Sequence, residues 1–131
     1  MFGQAFYPER YRTTLQACDL CKDLEISPNG DMTHVGQRGI VLSGGQRVRV
    51  ELARTVYSNA DIYLLDDPLR AVDAKAGNHI FKTCISQLLR DKTRSMTTHN
   101  LQVLRDAKNI VVMEDGSTLV AAALLHFFPL A

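Results

Sequence analysis

Apolar residues at Tyr11, Leu15, Cys18, Cys21 and Leu24 recur at helical spacing and predict one amphipathic helix over 8–25. Pro8 suits its first turn, and the turn-forming run Ser27-Pro28-Asn29-Gly30-Asp31 closes it. A glycine-rich loop with Gly36, Gly39, Gly44 and Gly45 follows. Within it, Ser43 and Gln46 have the S-x-x-Q spacing of a capping box. They open a predicted helix that runs to about Tyr57, with Val48, Leu52, Ala53 and Val56 facing inward. The short apolar run 61–66, Asp-Ile-Tyr-Leu-Leu-Asp, is too brief for a helix and suits a strand buried on both faces. Residues 74–90 read as a further helix, with Ile80, Phe81, Cys84, Ile85, Leu88 and Leu89 on one stripe. A weaker strand over 93–98, a short helix over 100–106 and a strand at 110–113 complete the alternation. Asp115-Gly116 then predicts a hairpin. Strands alternating with helices from residue 61 onward place the chain in the α/β class, with parallel strands and a helical part ahead of them.

Composition narrows this little. The 131 residues are 46% hydrophobic and 22% charged, which excludes disordered and low-complexity classes. Fifteen basic residues against fourteen acidic ones leave a net charge of +1, so charge gives no reason to expect a nucleic-acid partner. Three cysteines argue against a disulfide framework and fit a reducing compartment. Cys18 and Cys21 form a C-x-x-C with no second pair, which reads as two thiols on one helix face, not as a metal site. The start MFGQAFYPERYR lacks an apolar core and does not read as a signal peptide. The most apolar stretch, 119–131, is 13 residues long, whereas a membrane-spanning helix needs roughly 20.

Candidate chemistry lies in four places. Gly44 and Gly45 stand at the start of a capped helix, where bare backbone N–H groups and the helix dipole favour an anion such as phosphate. Asp66 lies at the C-terminal end of the 61–66 strand, where α/β sheets bind ligands, and is suited to Mg²⁺. Its neighbour Asp67 is suited to orienting a water or taking its proton. A third acid, Asp73, and the histidine His99 in Thr97-Thr98-His99-Asn100 follow. Each piece alone is also explained by ordinary turns and strand ends.

Taken in order, LSGGQ at 42–46, the LLDD strand end, AVD at 71–73 and TTH at 97–99 resemble the ATP-binding cassette (ABC) ATPase domain. The resemblance runs from Phe2-Gly3 to about Leu119. DIYLLDDPLRAVDA, ACDLCKDLE and THNLQVL are most similar to the first nucleotide-binding domain of the multidrug-resistance-associated (C) subfamily of exporters. It implies a partial P-loop NTPase core: a helical subdomain with the signature loop over 1–58 and the Walker B half of the core over 59–120. An atypical apolar tail would occupy 121–131. By the same resemblance, Ser43, Gly44, Gly45 and Gln46 are the signature loop, which meets the γ-phosphate of an ATP held by a second nucleotide-binding domain. Asp66 is the Walker B aspartate supporting Mg²⁺, and Asp67 stands at the catalytic position. Asp73 is the D-loop aspartate and His99 the switch histidine. Thr33-His34-Val35-Gly36-Gln37 resembles the loop that contacts a transmembrane domain. The implied setting is the cytoplasmic face of a membrane, in a transporter that couples ATP binding and hydrolysis to export.

Five departures stand against the pattern. None of the lysines Lys22, Lys75, Lys82, Lys92 and Lys108 follows a glycine, so no G-K-S or G-K-T phosphate loop occurs. That loop, its strand and the Q-loop glutamine would lie upstream of Met1, and Gln4 is a poor candidate for the latter. Asp67 stands where most of the family has glutamate, a substitution typical of the first domain in the C subfamily. His34 replaces an acid, and Arg94-Ser95 puts polar groups in a strand that is usually apolar. The apolar ending at 119–131 replaces a charged one. The rival readings are a fragment that binds no ATP alone and acts as an interaction module, and a chromosome-maintenance ATPase. The latter is disfavoured by the absence of heptads and of a basic stripe.

Overall fold

A computed structural model describes residues 5–36 and 40–123. The Phe2-Gly3 end of the resemblance, Gln4, Gln37, Gly39 and the tail beyond Ala123 lie outside the described residues. The chain divides into two compact units, Met1–Thr98 and His99–Ala131.

The first unit opens with α1 (Pro8–Ala17) and α2 (Cys21–Ile26) where the spacing predicts a single helix. The break has a local cause. Asp19 adopts φ 55°, a left-handed conformation that an aspartate tolerates better than most residues but a continuous helix does not. The turn it makes buries Cys18 and Leu20 on either side. Thr14 and Ala17, not Tyr11 and Leu15, supply the buried positions of α1. Cys18 and Cys21 therefore do not share a helix face: Cys18 ends α1, and Cys21 begins α2.

Helix α3 (Gly44–Tyr57) starts as the S-x-x-Q spacing predicts. Ser43 Oγ accepts from the Gln46 backbone N–H at 3.1 Å, and Gln46 Oε1 accepts from the Ser43 N–H at 2.9 Å. Leu52, Ala53 and Val56 face inward, joined by Tyr57, whose hydroxyl accepts from Tyr7 N–H and donates to the Ala5 carbonyl. A helix without a left-handed break can present one continuous stripe, and α1 packs against it.

Strand β1 (Ile62–Asp66) pairs in parallel with β2 (Thr93–Thr97). The intervening crossover contains α4 (Ala74–Ile80) and its continuation Phe81–Leu88, wound as a π-helix. Strand β1 is covered on one face only, a correction to the two-sided burial expected. Tyr63 and Leu65 are buried, whereas Ile62 and Leu64 are 64% and 80% exposed among the described residues. Alternation along a strand sends successive side chains to opposite faces, and the helices of this unit lie on one of them.

The π-winding corrects a second expectation. A π-helix bonds i to i−5, as Leu89 N–H does to the Cys84 carbonyl at 3.1 Å. Its buried positions run Ile80 and Phe81, then Cys84 and Ile85, then Leu89, with a five-residue step from Cys84 to Leu89 that skips Leu88. Leu88 is turned outward, 37% exposed. The polar Arg94 in β2 also gains a reason. Its guanidinium donates to the Ile85 carbonyl and, at 3.4 Å, to that of Ser86, groups freed near the end of the π-helix.

The second unit holds a 3₁₀ turn (Leu101–Asp106) and an antiparallel hairpin of β3 (Asn109–Glu114) and β4 (Ser117–Ala123). Asp115 and Gly116 both take positive φ, 47° and 74°, the requirement of the tight turn their sequence predicts. No helix among the described residues is long and apolar enough to cross a membrane.

Candidate functional site

The start of α3 and the segment after β1 come together. A cavity of about 390 Å³ is lined by Ser43, Gly44 and Gly45 on one side and by Ala71, Val72 and Asp73 on the other, with Arg49 between. Gly44 and Gly45 are the first two residues of α3, so their N–H groups have no intrahelical acceptor. The third N–H, that of Gln46, is taken by Ser43 Oγ. What the cavity offers an anion is therefore two bare N–H groups, the Ser43 hydroxyl proton and the positive end of the helix dipole.

The approach is close because Gly45 has no side chain. A Cβ there would stand 2.8 Å from the Ala71 carbonyl oxygen, nearer than real Cβ atoms come. Ala71 itself adopts φ 59°, an uncommon conformation for alanine. Asp73 caps α4: its Oδ1 accepts from Ala76 N–H at 3.0 Å. That bond, with help from the Lys75 N–H and the nearby Arg49 charge, holds its carboxyl below the usual aspartate value.

Asp66 and Asp67 lie at the C-terminal end of β1, as the sequence predicts. The parallel register sets Thr97 beside Asp66, and the Thr97 hydroxyl donates to Asp66 Oδ1 at 2.6 Å. The same hydroxyl oxygen accepts from the Asp67 N–H at 3.1 Å. Asp67 takes φ 41°, which turns the chain out of the strand. His99 opens the second unit and is exposed. Thr97, Asp23, Arg49 and Ala71 were not singled out by sequence reasoning. Thr97, Asp23 and Ala71 stand in the quoted TTH, ACDLCKDLE and AVD runs, but only tertiary contacts give them partners, as strand register pairs Thr97 with Asp66; nothing local marks Arg49.

Outside this region, the Cys18 thiol donates to Cys84 Sγ at 3.8 Å, and both are buried. The bond to Cys84 and burial push the Cys18 thiol far above its usual value, so it stays protonated. No group of three or more potential metal-ligating side chains occurs among the described residues.

A sequence profile of the ABC transporter family matches residues 12–70, a span that holds the signature turn, β1 and both strand-end acids. Over 127 residues, 97% of the chain is 48% identical to ATP-binding cassette sub-family C member 4 of Mus musculus, and covers 10% of that protein. The chain belongs to the ABC transporter family. Within that family its similarity is to the C subfamily. It is 52% identical to sub-family C member 3 of Homo sapiens, over 88% of the chain and 8% of that protein. Multidrug resistance protein mrp-7 of Caenorhabditis elegans is 53% identical over 95% of the chain and 8% of its own length. The chain thus spans about a tenth of the length of the curated relatives it matches. Its α/β architecture with a parallel strand pair is that of a partial ABC ATPase core.

Proposed function

We propose that this chain is the signature and Walker B portion of an ATP-binding domain in a C-subfamily exporter. It would work on the cytoplasmic face of a membrane, coupling ATP binding and hydrolysis to substrate export. The observation that carries the reading is the cavity at the start of α3, where Ser43, Gly44 and Gly45 meet Asp73. In it, the Ser43 hydroxyl and the Gly44 and Gly45 N–H groups receive the γ-phosphate of an ATP held by a second nucleotide-binding domain, paired head to tail. Residues 1–58 act as the helical subdomain and 59–120 as half of the core, docked on a transmembrane domain partly through the loop from Thr33.

The hydrolytic groups follow from β1. At the ATP bound by this domain itself, Asp67 orients the attacking water and accepts its proton, and His99 serves as the switch histidine toward the γ-phosphate. Asp66 fits a role toward Mg²⁺: Thr97 fixes its Oδ1, and no hydrogen bond is recorded to its Oδ2 among the described residues. A single carboxylate suffices for that ion when waters and nucleotide phosphates complete its shell. Bound with ATP, Mg²⁺ offsets phosphate charge. The 131 residues contain no G-K-S or G-K-T, so the lysine that reaches the β- and γ-phosphates is supplied from outside them.

The test is Ser43→Arg in a full-length C-subfamily transporter that carries these residues in place of its own segment. A bulky cation in the cavity should abolish most ATP turnover at the site completed by the partner domain. Unchanged turnover and transport would sink the reading. Calorimetry on the 131-residue chain bears on the alternative of a non-catalytic module: alone, it should show no saturable MgATP binding at micromolar nucleotide.

A further inference from the structure

Beneath the phosphate-facing turn lies a chain of polar contacts that reaches 23 residues back in sequence. Gln46 uses both ends of its amide inside the protein: Oε1 accepts from Ser43 N–H at 2.9 Å, and Nε2 donates to Asp23 Oδ1 at 2.8 Å. The second oxygen of Asp23 stands 2.8 Å from Arg49 Nη1, an ion pair in which that buried oxygen accepts no hydrogen bond. Arg49 donates to the Asp19 carbonyl, which the left-handed backbone at Asp19 brings within reach. The Asp23 and Arg49 side chains are only 19% and 16% exposed. At that burial, an ion pair losing one member leaves a costly unpaired charge.

Two consequences follow. First, each Gln46 amide atom already has a partner inside the protein, although the amide keeps a second N–H. Its work is to hold the Ser43 N–H, and so the cap, in place. Second, Arg49 lines the same cavity as Gly44, Gly45 and Asp73, and the Asp23 carboxylate keeps its guanidinium against the wall. Without Asp23, that cation keeps only the Asp19 carbonyl and the Asp19 carboxylate at 3.8 Å, and is held less firmly away from the Asp73 carboxylate.

We propose that Asp23 is a positioning residue for the phosphate-facing turn, and that Gln46 is the internal cap through which it acts. The proposal rests on the reading of Ser43, Gly44 and Gly45 as a phosphate site.

An exchange of the two side-chain chemistries tests it. Gln46→Glu keeps an acceptor for Ser43 N–H but sets a second carboxylate against Asp23. Asp23→Asn in the same chain restores the link, because the new amide donates to position 46 while its oxygen stays beside Arg49. In the full-length transporter, Asp23→Ala and Gln46→Glu should each raise KM for ATP about tenfold, with kcat less affected. The double variant Asp23→Asn/Gln46→Glu should return KM to within about threefold of the parent. In the 131-residue chain, Asp23→Ala should speed hydrogen exchange at the Ser43 N–H about tenfold. A double variant with KM as high as Gln46→Glu alone overturns the proposal, since restoring the link at Asp23 would then leave the nucleotide unaffected. So does loss of folded protein with an unmoved KM in what remains, or Ser43 exchange that ignores Asp23→Ala. Exchange that responds while KM ignores every variant removes the nucleotide reading itself, and the proposal with it.

Discussion

The carbonyl oxygen of Ala71 lies where the side chain of residue 45 would begin: a Cβ on Gly45 would sit 2.8 Å from it. The neighbouring Gly44 faces the same segment with ordinary room, its nearest contact being Ala71 Cβ at 3.6 Å. The two glycines of the signature turn are thus not equivalent. Gly45 lets the Ala71–Asp73 segment close on the helix, whereas Gly44 only shares the cavity wall. Gly45→Ala should cost about 1–2 kcal/mol, overpacking outweighing the helix propensity gained. Gly44→Ala should change stability by no more than about 0.5 kcal/mol. Urea unfolding of the two variants distinguishes them, and equal effects would refute the steric argument.

Thr97 ties the two strand-end acids through one hydroxyl, donating to Asp66 and accepting from Asp67. Thr97→Val keeps the shape and removes both bonds, while Thr97→Ser keeps the hydroxyl. In the full-length transporter, ATP turnover should fall about tenfold in the valine variant, the scale of a hydrogen bond to a charged group. The serine variant should stay close to the parent. Equal turnover in both would show that the hydroxyl does not matter.

The cysteines should react in a fixed order. Cys18 and Cys84 are fully buried free thiols, hydrogen-bonded to each other, and Cys18 is held protonated; Cys21 is part-exposed. Brief iodoacetamide treatment of the folded chain should alkylate Cys21 alone, with Cys18 and Cys84 modified only after denaturant is added. Peptide mass spectrometry reads the outcome, and early labelling at Cys84 would contradict the packing.

Asp73 gives stability a pH dependence of known sign. Its folded carboxyl is held below the unfolded value, chiefly by the Ala76 N–H, so ionised Asp73 stabilises the fold. That contribution is complete above the unfolded aspartate value and is lost as pH falls through the lower folded one. Asp73→Asn retains a capping oxygen without a titrating proton. The Tm gap between parent and variant should therefore shrink between pH 6 and pH 3, tracked by circular dichroism; a constant gap would count against the cap.

Elements set by local chemistry were legible in the residues. The Ser43–Gln46 capping box fixes the start of α3, and Asp115-Gly116 turns the hairpin, because each depends on neighbours a few positions apart. The strand-end position of Asp66 was legible for the same reason. The motif order likewise carried the family, since it is a property of the string itself. Tertiary structure decided what depends on distant partners. The single helix expected over 8–25 breaks at Asp19, where a left-handed residue lets Cys18 and Leu20 both reach the core. The π-wound segment turns Leu88 outward, a change of period that apolar spacing alone does not reveal. The cavity, finally, joins residues 43–45 to 71–73, and a hydrogen bond joins Gln46 to Asp23, across gaps in sequence that no periodicity spans. A sequence states which groups are present and how they recur. Which of them touch is settled by how the helices pack and how the strands register.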